Sequence, residues 1–188
     1  MIHFDIEWRD LKRIGAELGA TERQIEFALT RALKRTASKL RTLSAKGLVD
    51  ELQLRRLTAF RKRLKSIKLR YRKGVMLLYG LNDMPVSWFK GTPQQTPDGA
   101  TFRGKLFPGT FVARSNYARR KTIFKRKGKS RLHIEEQLMP IKDQADIFIE
   151  DRIFVRLEEI FWPEFERDLT ARVRYGVGAT DYKQSWTK

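Results

Sequence analysis

YGLNDMPVSWFKGTPQQTPDGATFRGKLFPGTFVAR, residues 79–114, is the most informative stretch of this chain. Glycine and proline interrupt it every few residues, and the apolar segments between them suit short strands joined by turns. These glycines and prolines are Gly80, Pro85, Gly91, Pro93, Pro97, Gly99, Gly104, Pro108 and Gly109. The stretch contains no catalytic motif, so it indicates a structural or assembly role.

Helical patterns lie on both sides of this stretch. Upstream, Thr21 and Gln24 form a capping-box pattern, and the apolar spacing after them predicts an amphipathic helix over 22–45 that Gly47 closes. A second helix is predicted over about 49–65. Downstream, the helical period returns over 142–175, where Pro163 should kink or split the helix because proline lacks a backbone donor.

Alternating patterns predict strands elsewhere in the chain. IHFDIEW, within residues 1–14, alternates like a short strand. The alternation over 67–72 predicts a half-buried strand with a cationic face, and VMLLYG (75–80) predicts a more fully buried strand. Further strands are predicted at 100–106, 109–114 and 121–126.

The order of these elements predicts an α+β fold. We expect an antiparallel β-sheet packed against an N-terminal amphipathic helix and a long C-terminal helix kinked at Pro163. A length of 188 residues suits one domain. We expect an N-terminal arm at 1–20, a single α+β domain at 21–175 and a flexible C-terminal tail at 176–188.

The charge of +18 is unevenly spread along the chain. Residues 21–74 hold 17 Lys/Arg against 4 Asp/Glu, and residues 101–132 hold 11 Lys/Arg and no acids. Residues 135–170 reverse the sign, with 11 acids against 4 bases. Such asymmetry indicates charged partners. The basic parts favour a polyanion or an acidic protein surface, and the acidic segment either meets a neighbouring subunit's basic face or folds back on its own chain.

Enzyme chemistry is not indicated. The chain has no cysteine and two histidines, and His133 and Glu135 would form only a weak pair on one strand face. No metalloprotease, nucleophile-elbow or phosphate-loop motif occurs, so we expect no catalytic residue, no cofactor and no metal. No apolar run approaches the roughly 20 residues that cross a bilayer, so no membrane partner is expected.

Two groups of bases are candidate contact residues for DNA or partner proteins, since clustered Lys and Arg bind phosphates without reading sequence. They are Arg61, Lys62, Arg63, Arg70 and Arg72, followed by Arg119, Arg120, Lys125, Arg126 and Lys127. Phe107, Pro108 and Gly109 are a candidate assembly turn that sets subunit packing. The alternative for these three residues is a purely internal turn.

Several segments, in order along the chain, carry a resemblance to a known family. They are RALKRTASKLRTLSAK (31–46), GLNDMPVSWFKGTPQQTPDG (80–99), FPGTFVAR (107–114), IFKRKGKSRLHIEEQ (123–137) and the acidic, amphipathic C-terminal helix. Together they resemble the phage minor tail protein Z family, the lambda-type tail completion proteins also found in prophages. The chain departs from the family pattern at His133, where proline is expected, and at Met139–Ile141, where a Gly-Pro-Ser-like turn is expected.

The resemblance implies a structural virion protein that acts late in tail assembly, at the head-proximal end or neck, as a tail completion or head–tail connector subunit. It further implies a ring of subunits around the DNA path, which we expect to be sixfold like the tail tube. The implied partners are other copies of the chain, the tail terminator or tail tube, head-connector proteins and the end of the genome DNA. The protein would be made in the host cytoplasm and reside in the virion.

Two other classes of function remain open on the residues alone. A small basic protein that binds nucleic acid without sequence specificity would account for the charge, but it has no need of the turn-rich 79–114 stretch. An enzyme such as a nuclease would need a set of metal-binding carboxylates, and the acidic pairs of this chain are adjacent residues that point to different faces.

Overall fold

The computed structural model describes residues 6–69, 74–115, 119–130 and 132–179. It is 50% helical and 24% strand. The helices are α1 (Trp8–Glu17), α2 (Glu22–Glu51), α3 (Leu57–Arg61), α4 (Lys142–Phe148) and α5 (Leu157–Arg174). The strands are β1 (Leu64–Leu69), β2 (Gly74–Tyr79), β3 (Met84–Pro85), β4 (Gln94–Thr96), β5 (Gly99–Phe102), β6 (Lys105–Pro108), β7 (Thr110–Arg114), β8 (Lys121–Arg126), β9 (Ile134–Glu136) and β10 (Leu138–Met139). The predicted α+β class is confirmed.

Backbone contacts divide the chain into two compact units. The helical unit comprises Met1–Thr42, Ser66–Leu77 and Ile153–Lys188, and the sheet unit comprises Leu43–Lys65 and Leu78–Arg152. The expected division into an arm at 1–20, a domain at 21–175 and a tail at 176–188 stays a prediction.

The first helix replaces the part of the strand predicted within residues 1–14 that begins at Trp8, and residues 1–5 of that prediction lie outside the described residues. Residues 8–17 form α1, which buries Leu11 and Gly15. Leu11, Ile14 and Leu18 recur at three- and four-residue spacing, and all three belong to the apolar core of the helical unit. The helical spacing from Leu11 onward therefore prevails over the predicted strand in residues 8–14.

Three helices build the core of the helical unit. Its buried members come from α1, α2 and α5, and they are Leu11, Ile25, Ala28, Leu29, Ala32, Phe161, Phe165 and Leu169. The predicted capping box at the start of α2 is confirmed. The Thr21 backbone N–H donates to Gln24 Oε1 at 3.0 Å, and the Gln24 backbone N–H donates to Thr21 Oγ1 at 3.3 Å.

The end of α2 differs from the prediction. Gly47 lies inside the helix, which continues to Glu51, so the prediction that this glycine closes the helix is wrong. A Cβ atom at Gly47 would lie 2.4 Å from Cζ of Phe148, so the missing side chain makes room for that ring. The helix predicted over 49–65 is reduced to α3, and β1 already begins at Leu64.

Among the described residues, the strands form four small sheets. β1 pairs with β2, and β3 pairs with β10. β4, β5 and β6 form one three-stranded sheet, and β7, β8 and β9 form another. The strands predicted at 109–114 and 121–126 are confirmed as β7 and β8, which pair antiparallel with Val112 opposite Ile123.

The strand predicted at 100–106 is instead a tight hairpin. β5 and β6 are joined by Arg103 and Gly104, whose φ angles are 50° and 76°. Two successive positive φ angles are the signature of the type I′ turn that joins two-residue hairpins. β2 is also less buried than VMLLYG predicts, because Val75, Met76 and Leu77 are half-buried and Leu78 is exposed.

The C-terminal helical segment is interrupted before its proline. A π-helical turn at Ile149–Ile153 and a 3-10 turn at Phe154–Arg156 separate α4 from α5. Pro163 lies inside α5, which continues on both sides of it. Of the predicted tail, residues 176–179 form a turn and the rest lies outside the described residues.

Candidate anion and partner interface

The exposed end of β8 carries three of the predicted contact residues. Lys125, Arg126 and Lys127 are exposed, and the pairing of β8 with β9 places Lys125 opposite Glu135. The Arg126 guanidinium lies 5.5 Å from the ring centroid of Phe111, and Lys127 Nζ lies 3.0 Å from Glu135 Oε1. Exposed ion pairs of this kind contribute about 0–1 kcal/mol, so these side chains can exchange partners readily.

The first predicted group of bases divides by environment. Arg61 and Lys62 are exposed at the end of α3. Arg63 is half-buried, donates to the Asn82 carbonyl oxygen at 2.6 Å and lies over the Trp88 ring. These contacts stabilise the loop that follows β2. Its predicted role as a contact residue stays untested.

Two other residues of that group, Arg70 and Arg72, lie outside the described residues.

Arg119 and Arg120 close the connection between β7 and β8. The Arg119 carbonyl oxygen accepts from Arg114 Nε at 3.1 Å, and the Arg120 carbonyl oxygen accepts from the Ser115 backbone N–H at 2.8 Å. Arg119 has a φ of 51°, in the left-handed region. Both side chains are exposed, and that of Arg120 borders a cavity.

This cavity, of about 440 Å³, brings together residues from both predicted basic groups. It lies in the sheet unit between α3, the 3-10 turn at Val86–Trp88 and the residues that flank β8. Its lining residues are Leu54, Arg55, Arg56, Thr58, Lys62, Met84, Ser87, Trp88, Ser115, Arg120 and Glu136. We call it the basic cavity, since it has four cationic side chains and one carboxylate.

Two arginines that organise this region were missed among the predicted site residues. Arg55 donates to the carbonyl oxygens of Phe89 (2.6 Å) and Gly91 (2.5 Å). Burial, and then the nearby Arg120 charge, lowers the pKa of Arg55 below its usual value.

Arg103, at the β5–β6 turn, donates to the carbonyl oxygens of Leu52, Gln53 and Lys90, each at 3.1 Å. Burial lowers the pKa of Arg103, with a smaller contribution from Arg55. In a chain with 40 Lys and Arg, their sequence positions carry no signal of this role, because it depends on carbonyl groups far along the chain.

The predicted assembly turn is held by internal contacts at its base. Phe107 is buried, and its carbonyl oxygen accepts from Thr110 Oγ1 at 2.6 Å. Gly109 has a φ of 65° and donates its backbone N–H to the Asp98 carbonyl oxygen at 3.0 Å. Pro108 and Gly109 are exposed at the tip of the turn, and its role in subunit packing stays a prediction.

Part of the acidic segment folds back on its own unit. Glu164 and Asp168 of α5 are only 3% and 5% exposed, and both face cations of α2. Arg31 Nη1 lies 3.3 Å from Asp168 Oδ1, and Lys39 Nζ lies 2.6 Å from Glu164 Oε1. Other carboxylates of the segment are exposed, including Glu150, Asp151, Glu158 and Glu166.

We call this group the α2–α5 ion cluster; its members are Arg31, Arg35, Lys39, Glu164, Arg167, Asp168 and Arg172. The hydrogen bond from Lys39 is the main cause that lowers the pKa of Glu164, and the charges of Lys39, Arg167 and Arg35 add to it against the opposing effect of burial. These cations of α2 are therefore already paired with carboxylates.

Within the described ranges, no group of three or more His, Cys, Asp or Glu side chains could hold a metal ion. No helix in that part of the chain is both long and apolar enough to cross a membrane. Comparisons of the chain with protein-family models, with curated proteins and with solved structures gave no match.

Proposed function

We propose that this chain is a structural bacteriophage virion protein, a tail completion or head–tail connector subunit at the head-proximal end of the tail. The proposal includes a ring of subunits, sixfold like the tail tube, around the path of the DNA. Its starting point is the family resemblance of residues 80–99 and 107–114. The structural observation that supports it best is the exposed cationic end of β8, at Lys125, Arg126 and Lys127.

The charge distribution suits an assembly of this kind. A closed ring uses heterologous interfaces, in which one face of a subunit meets a different face of its neighbour. The end of α3, at Arg61 and Lys62, is exposed and basic, so the β8 end is not needed for this pairing. Glu150, Asp151 and Glu158 are exposed and acidic. Glu164 and Asp168 do not contribute to such pairing, because the α2–α5 ion cluster already engages them.

The central test removes the gene from the phage or prophage that encodes it. We expect filled heads and complete tails to accumulate without joining productively, and a plasmid copy of the gene to restore infectious particles. Electron microscopy of the lysate and plaque titre measure the two effects. Normal titre without the gene would contradict the proposal.

Charge reversal at the β8 end separates DNA contact from assembly. The variant Arg126→Glu/Lys127→Glu should still assemble whole particles but lower the titre, because reversed charges repel DNA in the lumen. The matched control is Lys34→Glu/Lys46→Glu, which reverses two exposed lysines of α2 and should keep the titre. Wild-type titre from the β8 variant would contradict the part of the proposal in which these residues contact DNA. The assembly role would then depend on the deletion test alone.

The alternative, a basic protein that binds nucleic acid without sequence specificity, makes a different prediction in solution. Mass-resolved size analysis across a salt series, with and without short DNA, distinguishes the two. Defined rings, or monomers that join only purified tails, support the assembly role. A monomer that binds DNA tightly at low salt and ignores tails supports the alternative.

A further inference from the structure

The basic cavity has an uncompensated positive charge. Its four cationic side chains, Arg55, Arg56, Lys62 and Arg120, face one carboxylate, Glu136, which leaves a net charge of +3. Among the residues that the structure describes, no carboxylate pairs with Arg56, Lys62 or Arg120. Like charges gathered without a counter-ion favour the binding of an anion.

Two of the guanidinium groups that line the basic cavity, those of Arg55 and Arg120, lie close together. Arg55 is fixed by its bonds to the Phe89 and Gly91 carbonyl oxygens, so its position does not depend on a ligand. Arg120 is close enough for its charge to act on Arg55, and no carboxylate of the described residues offsets the pair. Guanidinium groups present several donors in a fixed plane, which suits the oxygens of a phosphate.

The one carboxylate of the basic cavity is engaged with neutral donors. Glu136 Oε1 accepts from the Ser87 backbone N–H at 2.9 Å and from Thr122 Oγ1 at 2.6 Å. These bonds hold Glu136 in the wall beside β8, away from ion pairing with the cations. An anionic ligand is therefore expected to bind toward the arginines and away from Glu136.

The rest of the lining favours a ligand larger than a bare anion. Ligand cavities commonly measure about 300–1,000 Å³, and 440 Å³ falls within this range. Leu54, Met84 and the half-buried Trp88 supply apolar and aromatic surface beside the cations. The Arg63 guanidinium lies over one face of the Trp88 ring, so a flat base would stack on the other face while its phosphate meets the arginines.

We propose that the basic cavity binds one nucleotide unit, with its phosphate at Arg55, Arg120 and Lys62 and its base or sugar against Trp88. The ligand class is a nucleoside phosphate, free or at the end of a nucleic-acid strand. An acidic peptide fits less well, because its carboxylates would leave the aromatic and apolar wall without a matching partner. This inference goes beyond the tail role and does not rest on it.

Calorimetric titration of the full chain at about 150 mM salt tests the proposal. The probes are thymidine 5′-monophosphate, thymidine, inorganic phosphate, a 5′-phosphorylated single-stranded hexanucleotide and hexaglutamate. We expect saturable one-site binding of the monophosphate, weaker binding of phosphate and none of thymidine. If the hexanucleotide binds more tightly than the monophosphate, the source is a strand end; equal affinity indicates the free nucleotide.

Variants locate the binding to the basic cavity. Lys62→Gln and Arg120→Gln should each weaken monophosphate binding about tenfold, since each removes a charge-assisted bond to phosphate. Lys46→Gln removes an exposed lysine that does not line the cavity, and it should change affinity less than twofold. Circular dichroism checks that each variant is folded. If one of Lys62→Gln and Arg120→Gln does not fold, the other still tests where the monophosphate binds.

Three results would overturn the proposal. The first is the absence of saturable monophosphate binding. The second is unchanged affinity in both Lys62→Gln and Arg120→Gln. The third is hexaglutamate binding that is tighter than monophosphate binding and equally sensitive to these substitutions, which would assign the basic cavity to an acidic protein segment.

Discussion

Glu164 is a buried carboxylate that contacts three cations of the helical unit. Its side chain is 3% exposed and contacts Lys39, Arg35 and Arg167, whose own side chains are 40% or more exposed. Water therefore still reaches the cations, while the carboxylate depends on them. This asymmetry makes Glu164 the sensitive member of the α2–α5 ion cluster.

Replacing Glu164 by Gln should lower the free energy of unfolding at pH 7 by about 1–3 kcal/mol, because hydrogen bonds from charged donors are lost. The pKa of Glu164 is lowered by folding, so its stabilisation is complete above the unfolded pKa of about 4.3. It is lost as the pH falls from there through the folded pKa. The difference between wild type and Glu164→Gln should thus shrink on acidification, as urea unfolding at several pH values would measure.

Glu166→Gln is the matched control for this prediction, since Glu166 is an exposed glutamate of the same helix. It should change the free energy of unfolding by less than about 0.5 kcal/mol at pH 7. A Glu164→Gln difference that stays constant from pH 7 to pH 3 would contradict the assignment of the lowered pKa to this side chain.

Single elements were predictable from sequence where a local signal acts alone. The capping box at Thr21 and Gln24 fixes the start of α2 within four residues, because both of its hydrogen bonds are local. The turn at Arg103 and Gly104 was missed because a short alternating run looks the same in one strand and in a hairpin. The basic cavity could not be assembled from sequence, because Lys62 and Arg120 meet only through the packing of the sheet unit.

Gly47 shows how a distant side chain overrides a local rule. A mid-helix glycine costs about 1 kcal/mol relative to alanine, so Gly47→Ala should stabilise an isolated helix. In the folded chain the new Cβ would lie 2.4 Å from the Phe148 ring, so we expect Gly47→Ala to lower the free energy of unfolding by about 1–3 kcal/mol. Chemical denaturation measures this change.

The double variant Gly47→Ala/Phe148→Leu should be more stable than Gly47→Ala alone, because leucine lacks the ring atoms that meet the new Cβ. Gly128→Ala is a control, since a Cβ atom there would meet nothing within 4 Å. If Gly47→Ala instead raised the free energy of unfolding, the predicted clash with Phe148 would be contradicted.

For the whole molecule, the net charge of +18 is larger than the number of cations that can contact a polyanion without first leaving a carboxylate. Some cations, such as Arg167, are paired with buried carboxylates, whereas Lys125 of β8 is exposed with no carboxylate bonded to it among the described residues. The sequence count alone cannot make this distinction. The salt dependence of binding can.

DNA binding by the wild-type chain should weaken as salt rises, with a slope of about −0.9 in log K against log salt for each phosphate neutralised. Lys121→Gln/Lys125→Gln should make that slope shallower by about two contacts, and Arg167→Gln should leave it nearly unchanged. Fluorescence anisotropy with a labelled duplex between about 50 and 300 mM salt measures the slopes. An equal change of slope in both variants would show that a cation paired with a buried carboxylate contributes to DNA binding as much as one without such a partner.

The α2–α5 ion cluster also has a consequence for how the helical unit finds its native pairing. Arg31, Arg35 and Lys39 occur at four-residue steps on α2, and Glu164 and Asp168 occur one such step apart on α5. A slide of α5 along α2 by one turn would leave a buried carboxylate opposite fewer cations, so we expect the cluster to disfavour misaligned pairing of the two helices as the chain folds.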